Sequence, residues 1–496
     1  MIRLNININI FLRFILFICI NSNTSLKLLA QNEKSNYSPI VKFQPQDTLI
    51  KSLILKLKEP SYKLGLKDKD ILKKINELSL ERTKFFQELY DEKSLMYGDE
   101  MSVFVNDVLS YLISSNENLK STKYIAFTVR DNDVNAFSLS EGILAVNTGL
   151  LSRINSWEEL AFVMGHEIGH DYLNHAKEHV ELVVGIEKDK KTQKDLKTAS
   201  KKTSDRYSEI EKIYLNTLSK AMLSSRKNEI SSDSVGYHFI SNADIDLSKA
   251  ISMLNILDSA DYFVFKDSVD IITKLSTPNY SIDPKWLINE DATSSWSRAK
   301  ELYLIPDSLK SHPDCGKRIE ILNKNNFPNN FKANKDFEER FESLKKGFAF
   351  ESLITLMENE EYSTVLYNAL NMQEIYPEDV FLNYIIAHAL LEIASTMINQ
   401  EFIKHTPFPN KEYPYGFNVL LQFLHNLNSK KLLYIYQNYS IVHLSGNKIP
   451  EYDSFLKTIY EYKINNIVDK EVLNKTYTYS YFIDSINKIK KTNQIK

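Results

Sequence analysis

The spacing of apolar residues predicts a mainly helical protein with a small amount of strand in its first third. From about 76 to 120, apolar positions that include Leu89, Leu95, Val103, Val108, Leu109 and Leu112 recur at helical spacing. Residues 123–130 (KYIAFTVR) then read as a strand. A second strand follows at 142–147 (GILAVN), with Asn135-Ala136-Phe137 leading into it. The next helix has the clearest signature in the chain. Ser156-Trp157-Glu158-Glu159 fits a capping box, with the Ser156 hydroxyl accepting from the N–H of Glu159 and the Glu159 carboxylate reaching back. Leu160, Val163, Met164, Ile168 and Tyr172 follow at three- and four-residue steps and make one apolar face. The Lys/Asp/Thr/Ser-rich run 187–205 reads as a solvated turn or mobile segment, after which helix resumes to about 240. Residues 258–310 read as short helices and a loop over the site.

Composition shifts after Phe327-Pro328, which places a domain boundary near 330–336. From 337 to 400 the pattern is of long amphipathic helices, separated at Glu360-Glu361-Tyr362 and again at Tyr376-Pro377-Glu378-Asp379. This resembles one tetratricopeptide repeat, in which a Pro often closes the second helix; a plain helical hairpin fits equally well. Residues 401–496 are rich in Tyr, Asn and Lys, helical in period, and form a C-terminal extension.

The N-terminus reads as an export signal. Arg3 and Arg13 are basic, Phe14 to Ile20 is wholly apolar, and Leu28-Leu29-Ala30 ends in a small residue. The expected order is therefore a signal peptide at 1–30, a lead-in segment at 31–75, a catalytic domain at 76–330, the helical segment 337–400 and the extension 401–496. No later segment reads as apolar enough to span a membrane, so the mature chain is expected to be extracytoplasmic, in a periplasm or associated with a membrane surface.

Bulk numbers then exclude several classes. A chain of 496 residues calls for two or three cores. A net charge of −3, with Lys and Arg spread throughout, offers no basic patch for nucleic acid. Removing 1–30 takes away Arg3, Arg13 and Lys27 and no acid, which moves the charge from −3 to −6. Only 12 Gly and 13 Pro argue against a sandwich or barrel. Of two cysteines, Cys19 falls in the signal and Cys315 remains, which rules out an internal disulfide and a Cys-rich zinc site.

The chemistry centres on His166-Glu167-Ile168-Gly169-His170. Histidines four apart on a helix face the same way and can share one metal ion. Glu167 is offset by one position and can reach a water on that ion from the side, as HExxH chemistry requires. Zinc needs a third protein ligand and an open position. Glu229 and Asp233 stand four apart in Ser225-Arg226-Lys227-Asn228-Glu229-Ile230-Ser231-Ser232-Asp233. Glu229 fits the third ligand and Asp233 the acceptor for a ligand His ring N–H. From spacing alone, a solvated acidic face fits that pair as well.

These residues in this order resemble the soluble branch of the CAAX-prenyl-protease/HtpX-like zinc metallopeptidases, which are gluzincins with an HExxH motif. They are similar to periplasmic proteases that enhance β-barrel assembly. The resemblance rests on HEIGH followed by His175, on Ser225-Arg226 before Glu229, and on Asp233 before Gly236. Asn135-Ala136-Phe137 with Gly142 to Leu151 resembles the family's substrate-edge strand, Asn242 to Asp246 its Ala-Gly-Tyr-Asp-Pro turn, and His312-Pro313 with Arg318-Ile319 its His-Pro…Arg-Ile segment. Ser232 departs from the usual Ala, and Asn242 to Asp246 lacks the family's Gly and Pro. The match covers about 100–325.

The resemblance implies a zincin-like metallopeptidase domain followed by a helical, tetratricopeptide-like domain. One Zn2+ per chain would sit on His166, His170 and Glu229, with Asp233, His175, Arg226 and Arg318 supporting them. Glu167 would be the general base for a zinc-bound water. His312 would stabilise the oxyanion, act as an idling fourth ligand, or belong to the core. Asn135, Ala136, Phe137, Gly142, Ile143 and Leu144 would bind substrate backbone as an added strand near 142–147. The substrates would be polypeptides, misfolded or envelope proteins among them, and the helical tail offers a surface for a protein partner. The competing reading is a non-catalytic chaperone or adaptor that uses that tail and holds a structural zinc.

Overall fold

The computed structural model describes residues 45–444 apart from 64–65, 201–205, 266–268, 289–309, 311, 313, 326, 328–329 and 378, together with 456, 457 and 460; side chains at 196 and 206–223 are left aside. The expected export signal at 1–30 lies outside the described residues. The chain folds as two units. One comprises Lys42–Asp258 and Asp314–Lys345; the other includes Ser259–Pro313 and Lys346–Lys496. This differs from a boundary at 330–336, because 259–313 groups with the C-terminal helices.

The first unit opens with helices α1 (Asp47–Lys58) and α2 (Lys69–Asp91), a two-residue strand β1 (Leu95–Met96), and α3 (Glu100–Ser114). Leu95 is therefore in a strand and not on a continuous helix. Lys93 turns left-handed (φ 59°), Ser94 N–H bonds back to Leu89 O at 2.9 Å, and α2 stops. Gly98 (φ 90°) and Asp99, whose carboxylate accepts from Met101 and Ser102 N–H, then start α3. Strands β2 (Ile125–Val129), β3 (Ala136–Ser138) and β4 (Ile143–Asn147) complete a mixed sheet of order β1-β2-β4-β3. β2 and β4 run parallel, with Phe127 opposite Ala145; β3 is antiparallel to β4, with Phe137 opposite the same Ala145.

β4 is buried along its whole length, as a central strand should be. Ile50, Leu53 and Leu57 of α1 and Phe86 of α2 share a core with Phe127, Val129, Ile143 and Ala145 of the sheet. The far edge of β2 is closed. β1 pairs with Val129 and Thr128, and where it stops the Asn106 side chain bonds both main-chain groups of Ala126, at 2.8 and 3.0 Å. The edge of β3 carries no strand among the described residues.

After α4 (Thr148–Arg153) come α5 (Trp157–Tyr172), α6 (His175–Lys188), α7 (Lys190–Ala199), α8 (Arg206–Asn242) and α9 (Ser248–Asp258), then α11 (Cys315–Leu322) and the start of α12 (Lys335–Glu358). Half of the expected capping box forms: Glu159 accepts from Asn155 N–H at 2.5 Å, while the Ser156 hydroxyl makes no cap. Residues 190–199 are helical rather than a loose turn. Asp189 starts that helix by accepting from Thr192 N–H and its hydroxyl, at 3.1 and 2.6 Å.

In the second unit, α10 (Ile271–Leu275) and a 3-10 turn at Pro284–Leu287 accompany α13 (Tyr362–Ile375), α14 (Val380–Ile398), α15 (Phe402–His405), α16 (Tyr415–His425) and α17 (Ser429–Leu444). Every residue of α14 from Val380 to Thr396 is buried, as in the centre of a bundle rather than in the two-faced helix of a repeat array. The expectation that no later segment is apolar enough to span a membrane needs correcting. α14 has the length and a mean hydropathy of 1.5, but 83% of that stretch is buried within the protein, the character of a core helix.

Candidate metal centre

The site forms where α5 crosses α8, and glycine sets how close they come. A Cβ on Gly236 would lie 2.8 Å from His166 N, one on Gly165 3.2 Å from Gly236 Cα, and one on Gly169 3.0 Å from Ser232 O. Gly165 and Gly169 are four apart on α5, as Ser232 and Gly236 are on α8, so two smooth stripes meet. That contact lets a side chain one turn earlier on α8 reach the α5 histidines.

The reaching side chain is Glu229. His166 Nε2 and His170 Nε2 are 3.0 Å apart, and the two Glu229 oxygens lie 3.5 Å from them, one to each ring. The three residues offer donors all within 4.8 Å of one another. Ligands about 2.1 Å from a tetrahedral zinc ion are roughly 3.4 Å apart, so the donor set fits that ion and leaves a position open.

Neighbours hold each donor. Asp233 Oδ1 lies 2.8 Å from His166 Nδ1. Arg318, buried at 2% exposure, grips Asp233 through Nε and Nη2 at 2.6 and 2.7 Å and reaches Glu229 through Nη1 at 3.2 Å. His175 Nδ1 lies 3.1 Å from His170 Nδ1, and the Ser231 and Ser232 hydroxyls lie 3.1 and 3.2 Å from the His175 ring. The Ser at 232, unusual for the family the sequence resembles, thus supports that ring. His175 starts a new helix rather than continuing α5, because Asn174 turns left-handed (φ 56°).

Electrostatics follow this wiring. Burial disfavours charge on His166, but the bond to Asp233 and the pull of Glu229 outweigh it and raise its pKa to about 10. His170, with burial as the main cause, is lowered to about 3. Burial opposes ionisation of Glu229, yet His166 and Arg318 hold its carboxyl well below the usual range.

Glu167 is half-buried, and burial pushes it up to about 7. Its Oε2 accepts from Ser138 N–H of β3 at 2.9 Å. Leu139 N–H bonds Ile143 O and Asn147 N–H bonds Asn135 O, so the odd-numbered residues of β3 face β4. Alternation then aims the main-chain groups of Ala136 and Ser138 out of the sheet, toward its open edge. This corrects the expected substrate strand near 142–147. Ile143 and Leu144 lie in an internal strand paired on both sides, and Gly142 sits in the turn, with φ 74° and its N–H on Asp171 Oδ2 at 3.0 Å. Of the predicted substrate residues, Asn135, Ala136 and Phe137 belong to the outer strand or its approach.

Two other residues fall elsewhere. Arg226 pairs with Asp314 at 3.0 Å, at the start of the helix that carries Arg318, and not with a donor. His312 is half-buried in a bend just before that helix. Sequence reasoning missed Ser138, Ser231 and the glycine stripe. The small residues at 165, 169, 232 and 236 were the available signal; main-chain N–H groups leave none.

A mixed sheet with one edge unpaired among the described residues, beside a helix whose two histidines meet a glutamate from a second helix, is an arrangement suited to a metal-dependent peptidase. Residues 104–326 match the family model described as Peptidase family M48. The mitochondrial metalloendopeptidase OMA1 of Bos taurus is 33% identical over 126 residues, 24% of this chain and 23% of the relative. The Homo sapiens protein of the same name is 32% identical over equal shares. A candidate beta-barrel assembly-enhancing protease of Vibrio cholerae serotype O1 is 28% identical over 97 residues, 20% of each chain. The chain therefore spans about a quarter of the length of the mitochondrial relatives.

Proposed function

We propose that the protein is a zinc-dependent endopeptidase whose metal is held, one ion per chain, by His166, His170 and Glu229. The observation that carries this is the convergence of three donors beside a glutamate tied to an open strand edge. Zinc held there supplies Lewis acidity to water and to a carbonyl.

The chain's own groups do the rest. A substrate backbone adds to the open edge at Ala136, which makes recognition largely blind to side chains and favours extended or unfolded polypeptides. Glu167 takes the proton of the attacking water and returns it to the departing amine. Ser138 N–H fixes one Glu167 oxygen and leaves the other free for that transfer. Asp233 and His175 hold the two ligand rings in place, and Arg318 holds Asp233 and Glu229. His312 is assigned to the oxyanion. Replacing it by Ala should lower kcat with zinc retained; a rise in activity would make it an idling ligand instead.

The residues at 1–30 support an extracytoplasmic setting, in which unfolded envelope proteins are the substrates. The decisive test is Glu167→Gln. Zinc should stay near one per chain while cleavage of an unfolded protein falls on the order of 10²- to 10⁴-fold. Undiminished cleavage would remove Glu167 from its role.

A further inference from the structure

The turn that ends β3 is strained, and the helices that clamp it lie outside the family match. Ser140, Glu141 and Gly142 are three consecutive left-handed residues, with φ of 74°, 58° and 74°. The first two carry side chains, and each is held in a conformation that costs roughly 1–2 kcal/mol unless neighbours fix it. Four groups do so. Arg82 Nη1 donates to Ser140 Oγ at 2.6 Å, Lys56 Nζ to Glu141 O at 2.5 Å, and Ser61 N–H and hydroxyl to the Glu141 carboxylate at 2.7 and 2.9 Å. The fourth is Asp171, which accepts from Gly142 N–H and is the residue after His170.

Three of those clamps come from α1, α2 and the segment between them, before residue 104 where the family match begins. Arg82 and Phe85 lie three apart on α2 and so share a face. Phe85 meets Phe137 of β3 with ring centroids 5.7 Å apart, while Arg82 takes the turn that follows. From Ser140 the bonding continues inward: its N–H donates to Ser138 Oγ at 3.0 Å, and Ser138 N–H donates to Glu167 at 2.9 Å. The guanidinium is half-buried and also donates to Tyr62 OH at 3.3 Å, so it is not a freely solvated arginine.

We infer that Arg82 is a positioning residue that holds the substrate-binding edge of the sheet in register with Glu167, through Ser140 and Ser138. The N-terminal helices thereby form part of the peptide-binding apparatus. This rests on the endopeptidase reading above. It does not make Arg82 a catalytic residue, since its nearest partners are in the turn.

The test uses the zinc-loaded full chain with Arg82→Ala, Ser140→Ala and the double variant. Amide exchange at 136–142 should quicken about tenfold or more in Arg82→Ala while α5 stays protected. KM for an unstructured peptide of about ten residues should rise roughly tenfold, more than kcat falls, with zinc content unchanged. Because the two residues act in one chain of bonds, the double variant should be no worse than the worse single one. Unchanged exchange at 136–142, loosening spread equally over α5, or multiplying effects in the double variant would each overturn the proposal. If Arg82→Ala fails to fold, Arg82→Lys keeps the charge and stem and should show the same local loosening in milder form; its absence would count against the proposal. Should the unaltered protein cleave no peptide, the endopeptidase reading falls, and the exchange pattern still decides whether Arg82 holds the strand.

Discussion

Helices α5 and α14 are both buried along nearly all their length, yet they hold polar groups in opposite ways. α14 carries His388 and Glu392 four apart, 3.4 Å from each other, both buried within the helical core. α5 carries His166 and His170 at the same spacing, and Glu229 comes to them from a second helix. The residue types are nearly alike. What separates a core pair from a metal centre is a third donor arriving from another element, with Asp233, His175 and Arg318 fixing the angle of arrival. Glycine makes that possible on α5; α14 has none and is wrapped by large side chains such as Phe381, Tyr384 and Leu390.

The largest way to break this contrast is to remove the third donor. Glu229→Ala should weaken zinc binding by at least about a hundredfold and abolish cleavage, whereas Glu392→Ala should leave zinc content at the unaltered value. Metal titration of both proteins against a chelator would decide it. Next is the apolar side of the comparison. Leu390→Ala should cost roughly 2–5 kcal/mol in denaturant unfolding while zinc affinity of the folded protein stays the same. A loss of zinc affinity in that variant would show that the two interiors are not independent. Gly236→Ala should cost about 1–3 kcal/mol, since the added methyl meets the His166 main chain and not a movable side chain, and it should lower zinc affinity as well. The smallest effect is expected at His175→Ala, about tenfold in zinc affinity with no change in the unfolding midpoint of the zinc-free protein beyond about 1 kcal/mol. An unchanged zinc affinity would reduce His175 to a packing residue.

Much of this was legible in the residues. HEIGH on a helix, Glu229 and Asp233 one turn apart, and β2 and β4 as apolar runs all follow from periodicity, because each signal is local. The failures share a cause. β1 is two residues long, and its Leu95 fits the helical spacing on either side, so only Gly98-Asp99 marked the break. The resemblance places the substrate edge near 142–147, but strand order depends on pairing between distant segments, which periodicity does not encode. Ser138 acts through its main-chain N–H, which any residue but proline supplies. The supporting role of Arg226 rests on the family resemblance alone, and its partner, Asp314, stands far along the chain. The apolar character of α14 was underrated because Asn383, His388 and Glu392 interrupt it.

The Asn106 amide, bonded to both main-chain groups of Ala126, has a consequence for how copies of this protein can meet. If peptides add to the β3 edge as proposed, ribbon growth becomes a risk, in which each molecule lends one border and borrows another. With Asn106 and β1 covering the far side of β2, a guest strand has no place beside β2 among the described residues, which leaves the β3 edge to receive it.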